Sequence, residues 1–366
     1  MQIKLKLLAL AHAGIIALSA QAQLAPGYAG TAAAQAVANA LPGARRSPAQ
    51  VSPVPTAEVS PQLQGLIGGA YPPFFNAEPK DAAGWKALIG QRAAGAAAGI
   101  PALKAKMGVT VESATLAGVK AYVVTPQMVA PENQQRLLMH IHGGGYVFGP
   151  GEAGLAEAIL LASFGGYKVV SVDYRMPPDF PYPAAMDDAM AVWKELLKTN
   201  KASNMAVFGT STGGAMTLAL VLRAKAENVP LPAAIAPGTP WSDIDKVGDS
   251  YKTNEWIDNV LVTWDGWLGR AALLYAGGRD LKDPQLSPIY GDFTGFPPAI
   301  LTSGTRDLFL SNTVRTHRKL RRAGVVSDLN VYEGMSHAQY GFNPDAPETK
   351  EAFTDIASFF DKYLAR

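Results

Sequence analysis

From about residue 109 to the C-terminus, short apolar runs alternate with amphipathic stretches, and this rhythm sets the expected architecture. Lys120–Val124, Leu137–His142, Lys168–Tyr174, Met205–Gly209, Ala233–Ala236, Ala299–Ser303 and Leu329–Glu333 have the length of strands, and several are rich in β-branched residues. Between two of them Met186, Met190, Trp193 and Leu197 recur at helical spacing and share one face. Further helices are expected to begin near Thr212, Ser311 and Glu348. Strand and helix in alternation predict an α/β protein with a mostly parallel central sheet flanked by helices.

The pattern changes upstream. Between residues 63 and 108, aromatic and aliphatic residues (Tyr71, Phe74, Phe75, Trp85, Leu88, Ile89) and an Ala-rich run at Ala93–Ala98 predict a small helical segment packed on the region of alternating strands and helices. Residues 23–62 are Ala- and Pro-rich, carry charge only at Arg45, Arg46 and Glu58, and show no sustained apolar period, so they read as a linker. At the start, Lys4 and Lys6 precede an apolar run, Leu7–Ala20, that ends in the small-residue pattern Ala20-Gln21-Ala22. Residues 1–22 are therefore expected to be a signal peptide cleaved before Gln23, giving an exported, periplasmic or secreted protein. His12 and Gly14 interrupt a run shorter than the roughly 20 residues that span a bilayer, so no integral membrane segment is expected after cleavage.

Composition narrows the class. With 48% hydrophobic and 17% charged residues, 36 Gly, 27 Pro and no Cys, the chain is neither disordered, fibrous nor a disulfide scaffold. Its 32 basic residues nearly match its 30 acidic ones, and loss of Lys4 and Lys6 with the leader brings the two into balance. Nothing global draws such a chain to nucleic acid or an anionic membrane, and a small or neutral partner is expected. The basic cluster from Arg315 to Arg322 reads as a solvated helix face, and Asp187 and Asp188 as acids favoured by a helix N-terminus. No residues have metal-ligand spacing and no phosphate loop is present, so neither metal nor cofactor is expected.

The candidate chemistry lies in two glycine-rich turns. Gly209-Thr210-Ser211-Thr212-Gly213-Gly214 follows one strand candidate and opens a helix, the context of a nucleophile elbow, with Ser211 as the nucleophile. His142-Gly143-Gly144-Gly145-Tyr146 follows another strand, and the amides of Gly144, Gly145 and Thr212 are candidate oxyanion donors. His142, with Gly143, is read as loop support and not as a base. A serine needs a base to take its proton. Of five histidines, His12 leaves with the leader, His140 and His142 belong to the oxyanion segment, and His317 sits among basic residues. His337, in a loop beyond the last strand, remains. Asp307 follows the strand Ala299–Ser303 and gives the chain order Ser211, Asp307, His337 found in α/β-hydrolases, with Asp280, Asp283 and Asp292 as rival acids.

These motifs, together with the segment from Asp173-Tyr174-Arg175 to Pro183-Ala184-Ala185, resemble those of the bacterial hormone-sensitive-lipase-like esterases, a branch of the α/β-hydrolase fold. The likeness covers roughly Leu63 to the C-terminus. It implies a triad of Ser211, Asp307 and His337, an oxyanion hole from the Gly144-Gly145 loop, and an N-terminal helical cap over an acyl pocket. That cap would be residues 63–108 with part of 241–275, on a hydrolase domain spanning 109–366. Two positions depart from the family pattern: Thr212 replaces a usual Ala, and Gly304-Thr305-Arg306-Asp307 differs from the common acid block and is closer to lactone-hydrolysing members. The expected activity is serine carboxylester hydrolysis of a small-molecule ester or lactone with a short or medium acyl chain. Alternatives are a serine peptidase or amidase on the same fold, or a non-catalytic small-molecule binder. The oligomeric state is left open.

Overall fold

A computed structural model describes residues 52–365. The signal peptide expected at 1–22 and most of the linker expected at 23–62 lie outside the described residues. The elements run α1 (Pro61–Ile67), α2 (Ala82–Met107), β1 (Val109–Leu116), β2 (Val119–Pro126), β3 (Leu137–Ile141), α3 (Ala156–Gly165), β4 (Lys168–Val172), α4 (Ala184–Leu196), β5 (Met205–Thr210), α5 (Thr212–Ala226), β6 (Ala234–Gly238), the single turn α6 (Ser250–Thr253), α7 (Trp267–Ala276), β7 (Ala299–Gly304), α8 (Leu310–Arg322), β8 (Ser327–Tyr332) and α9 (Pro347–Tyr363).

The eight strands form one sheet in the order β1-β2-β4-β3-β5-β6-β7-β8. From β4 to β8 every neighbour is parallel, while β2 runs antiparallel to both β1 and β4. Strands β3, β5, β6 and β7 are buried along their whole length, which is why they read as continuous apolar runs. Alternate side chains feed two separate cores. Leu137, Met139 and Ile141 of β3 join Met205 and Val207 of β5 against Met186, Met190 and Trp193 of α4. Leu138, Ala206 and Phe208 face the other way, against Ile159 of α3 and Phe353 and Phe360 of α9.

One strand differs from the sequence reading. β1 mixes polar and apolar residues because it lies at the sheet edge, and it is absent from the expected set. Leu116 pairs with Val119 across Ala117-Gly118, both at positive φ (50° and 81°), the backbone of a two-residue hairpin. The linker boundary also moves. Pro61 opens α1 behind Ser60, whose hydroxyl caps the Leu63 amide at 3.2 Å and whose amide and hydroxyl each donate at 2.7 Å to Glu348 in the first turn of α9. The chain is thus anchored to the body two residues before the expected limit. α2 is capped by Asp81 and ends at Gly108 (φ 61°), and it buries only Trp85 and Ile100. In the basic cluster, Arg315 pairs at 2.9 Å with the fully buried Asp243, so this part of α8 is not merely solvated.

Candidate active site

Ser211 sits between β5 and α5 at φ 65° and ψ −120°, a conformation that costs a non-glycine residue free energy and persists only where the surroundings enforce it. Its amide donates to the Gly238 carbonyl at 2.9 Å, and its carbonyl accepts from Ala215 at 3.0 Å and Trp241 at 3.0 Å. The flanking glycines are sterically required. A Cβ on Gly209 would lie 2.1 Å from the Ile141 carbonyl oxygen at the end of β3, and one on Gly213 would lie 1.9 Å from the same oxygen. The Ser211 hydroxyl makes no hydrogen bond to any described residue.

His337 lies beyond β8 and is almost completely buried. Its Nδ1 is 3.0 Å from Asp307 Oδ1, and its Nε2 is buried without a hydrogen-bond partner among the described residues. Asp307, also fully buried, accepts from the Phe309 amide at 2.8 Å on Oδ1, and from Ser303 Oγ at 3.0 Å and the Thr239 hydroxyl on Oδ2. The Phe309 ring meets the imidazole edge-on at 4.8 Å, which further fixes its plane. The rival acids are elsewhere: Asp280 and Asp283 cap their own turn, and Asp292 pairs with Lys225 at 3.2 Å.

The loop after β3 wraps next to Ser211. A Cβ on Gly145 (φ 64°) would lie 2.5 Å from the Trp267 ring, and one on Gly144 (φ 122°) would lie 2.3 Å from the Phe148 carbonyl oxygen. The amides of Gly144, Gly145 and Thr212 donate to no acceptor among the described residues; Gly144 and Gly145 line the cavity that Ser211 lines, and Thr212 opens a helix directly after it. His142 supports this loop. Its Nδ1 donates to the Gly143 carbonyl at 2.8 Å, its ring stacks on Tyr174 at 4.1 Å, and the Tyr174 hydroxyl donates to its carbonyl at 2.8 Å. Burial lowers its pKa to about 4, so it is neutral at pH 7.

Sequence reasoning missed three further groups. Asp258, from the loop between α6 and α7, accepts the amides of Val260 (2.8 Å) and Leu261 (3.0 Å) on Oδ1, and those of Leu308 (2.8 Å) and His337 (3.3 Å) on Oδ2. One buried carboxylate thus ties the loop carrying Asp307 to the one carrying His337. Burial, and then the charge of Asp307, push its pKa up to about 6. Glu157 of α3 accepts the Thr210 amide (3.1 Å) and hydroxyl (2.6 Å), bracing the residue before Ser211, and meets His140 Nε2 at 3.1 Å. Trp267, in the 241–275 segment, backs Gly145 and Phe148. None of these carries a local motif.

Ser211 and His337 both line a cavity of about 690 Å³. Phe74 before α2, Arg92 of α2, Phe148, Leu261 and Trp267 form parts of its wall. No helix among the described residues is long and apolar enough to cross a membrane.

A serine on a strained strand-to-helix turn, a histidine held by a buried aspartate, and free amides from a glycine loop, set together on a mostly parallel sheet, define an α/β-hydrolase. The chain belongs to that family, whose model, described as an alpha/beta hydrolase fold, matches residues 138–341. Within it the similar proteins include bacterial esterases, some of them of the hormone-sensitive lipase family. A crystal structure of an esterase shares 44% identity at a TM-score of 0.85, covering 88% of this chain and 99% of that one. A crystal structure of an esterase from the bacterial hormone-sensitive lipase family shares 29% identity at a TM-score of 0.66, over 70% of this chain and 86% of that one. An esterase of Acinetobacter venetianus is 31% identical over 67% of this chain and 79% of its own length. An acetyl-hydrolase of Streptomyces hygroscopicus is 30% identical over 64% of this chain and 79% of its own.

Proposed function

We propose that this chain is a serine carboxylesterase in which Ser211 is the nucleophile, His337 the general base and Asp307 the residue that orients it. Ser211 Oγ attacks the ester carbonyl while His337 Nε2 takes its proton. The tetrahedral oxyanion is held by the amides of Gly144, Gly145 and Thr212, each such donor worth about 3–4 kcal/mol to the transition state by mutational precedent. His337 then returns the proton to the departing alcohol, and water, activated by the same imidazole, hydrolyses the acyl-enzyme. Asp307 fixes the tautomer with the proton on Nδ1 and stabilises the imidazolium.

The observation that carries this reading is the Asp307–His337 pair itself: Nδ1 is engaged, Nε2 is buried without a partner, and the ring lines the cavity that Ser211 lines. Short or medium acyl esters, or lactones, fit an aromatic-walled cavity of about 690 Å³, and relatives named acetyl-hydrolase and ethyl acetate hydrolase point the same way. The leader-like residues 1–22 support export to the periplasm or medium; N-terminal sequencing of protein from a culture tests this by finding Gln23 first. For the activity, p-nitrophenyl acetate turnover is compared between wild type and Ser211→Ala. A loss of several powers of ten with an unchanged melting temperature supports the assignment, and undiminished turnover overturns it.

A further inference from the structure

The active-site cavity contains one charge that the hydrolytic chemistry does not use. Arg92 projects from α2 into the cavity wall, its guanidinium carbon 3.8 Å from the centre of the Phe74 ring and 5.0 Å from that of Phe148. It forms no hydrogen bond or ion pair with any described residue. The other charged residue lining the cavity besides the triad histidine, Glu157, is engaged with Thr210 and His140. Arg92 stands out among its neighbours, for α2 is otherwise Ala- and Gly-rich through Ala93–Ala98. Two ring faces hold the guanidinium by cation–π attraction and leave its N–H edge unmatched. The residue is exposed, so a ligand can reach it, and partial desolvation against the two rings lowers its pKa. A planar, permanently charged fork beside apolar rings is suited to a carboxylate.

Resting on the esterase reading, we propose that Arg92 is a specificity-determining residue that selects esters carrying a carboxylate at a distance from the scissile bond. The carboxylate belongs either to the acyl part, as in a dicarboxylic acid monoester, or to the alcohol part.

Two substrate pairs distinguish these sources. The p-nitrophenyl monoester of glutaric acid is compared with p-nitrophenyl valerate, and 4-butyryloxybenzoate with 4-butyryloxybenzamide. The readout is the anionic-to-neutral ratio of kcat/KM in each pair. In at least one pair this ratio is expected to fall about tenfold in Arg92→Gln, the size of one charge-assisted contact, with Arg92→Lys retaining part of it. The wild-type ratio is also expected to fall as NaCl is raised to 0.5 M. Ratios unchanged within twofold in both pairs, in the variant and across the salt series, overturn the proposal while leaving the esterase reading intact. Failure of wild type to hydrolyse either neutral ester sinks both.

Discussion

Thr239→Val separates what stabilises Asp307 from what makes it useful to the base. Thr239 is fully buried at φ 28°, an unusual backbone for a β-branched residue, and its hydroxyl donates to Asp307 Oδ2. Valine keeps the shape and the backbone restraint and removes the hydroxyl, which also lies 3.3 Å from His337 Nδ1. A hydrogen bond to a charged group contributes about 1.5–3 kcal/mol, and at roughly 2.1 cal/mol/K of unfolding entropy per residue each kcal/mol moves the Tm of a body of this size by about 1.5 °C, so a drop of roughly 2–5 °C is expected. Catalysis is expected to suffer less. Oδ1, the oxygen facing His337, is still held by the Phe309 amide at 2.8 Å, and Oδ2 keeps Ser303 Oγ at 3.0 Å. Turnover of p-nitrophenyl acetate should therefore stay within about tenfold, against the loss near 10⁴ expected when the aspartate itself becomes asparagine. Adding Ser303→Ala strips Oδ2 of its last donor, and the double variant should lose more stability than the two singles together. Differential scanning calorimetry and steady-state kinetics on wild type, the two single variants, the double variant and Asp307→Asn give both readouts. If Thr239→Val costs no stability, or if its activity collapses as far as that of Asp307→Asn, the Thr239 hydroxyl does not have the role assigned to it.

Three other outcomes are expected from the same geometry. Gly145→Ala forces a Cβ to 2.5 Å from the Trp267 ring at positive φ and displaces the proposed oxyanion donor; kcat/KM should fall at least about 100-fold, checked with p-nitrophenyl acetate. Asp258 has a pKa raised from about 4 to about 6, so the native state binds its proton more tightly than the unfolded chain and gains stability as pH falls from 7 towards 4. Asp258→Asn lacks that gain, and the Tm of wild type minus that of the variant should be larger at pH 5 than at pH 7.5. Of the four candidate acids, only Asp307→Asn should abolish turnover; Asp280→Asn, Asp283→Asn and Asp292→Asn should stay within about twofold, as expected of surface substitutions remote from the site.

Much of the fold and of the candidate site is legible in sequence because central parallel strands and sharp turns impose local patterns. Strands buried on both faces read as unbroken apolar runs, and the turn at Ser211 demands glycine where Ile141 approaches. β1 escapes because an edge strand tolerates polar residues, although its two-residue spacing from β2 is a usable signal. The linker boundary falls late because Ser60-Pro61 is a helix start whose partner, Glu348, lies far away in sequence. Asp258, Thr239, Glu157 and Arg92 have their meaning only through contacts made by folding. A lone aspartate in Trp256-Ile257-Asp258-Asn259 gives no hint that it clasps two active-site loops.

Whether Ser211 is a hydroxyl activated by His337 is decided by reacting the folded protein with a fluorophosphonate probe and mapping the adduct by peptide mass spectrometry. A single adduct is expected on the peptide containing Ser211, lost on heat denaturation and lost in His337→Gln. An adduct on another serine, or labelling of Ser211 that persists without the imidazole, would show that this pair is not the catalytic one.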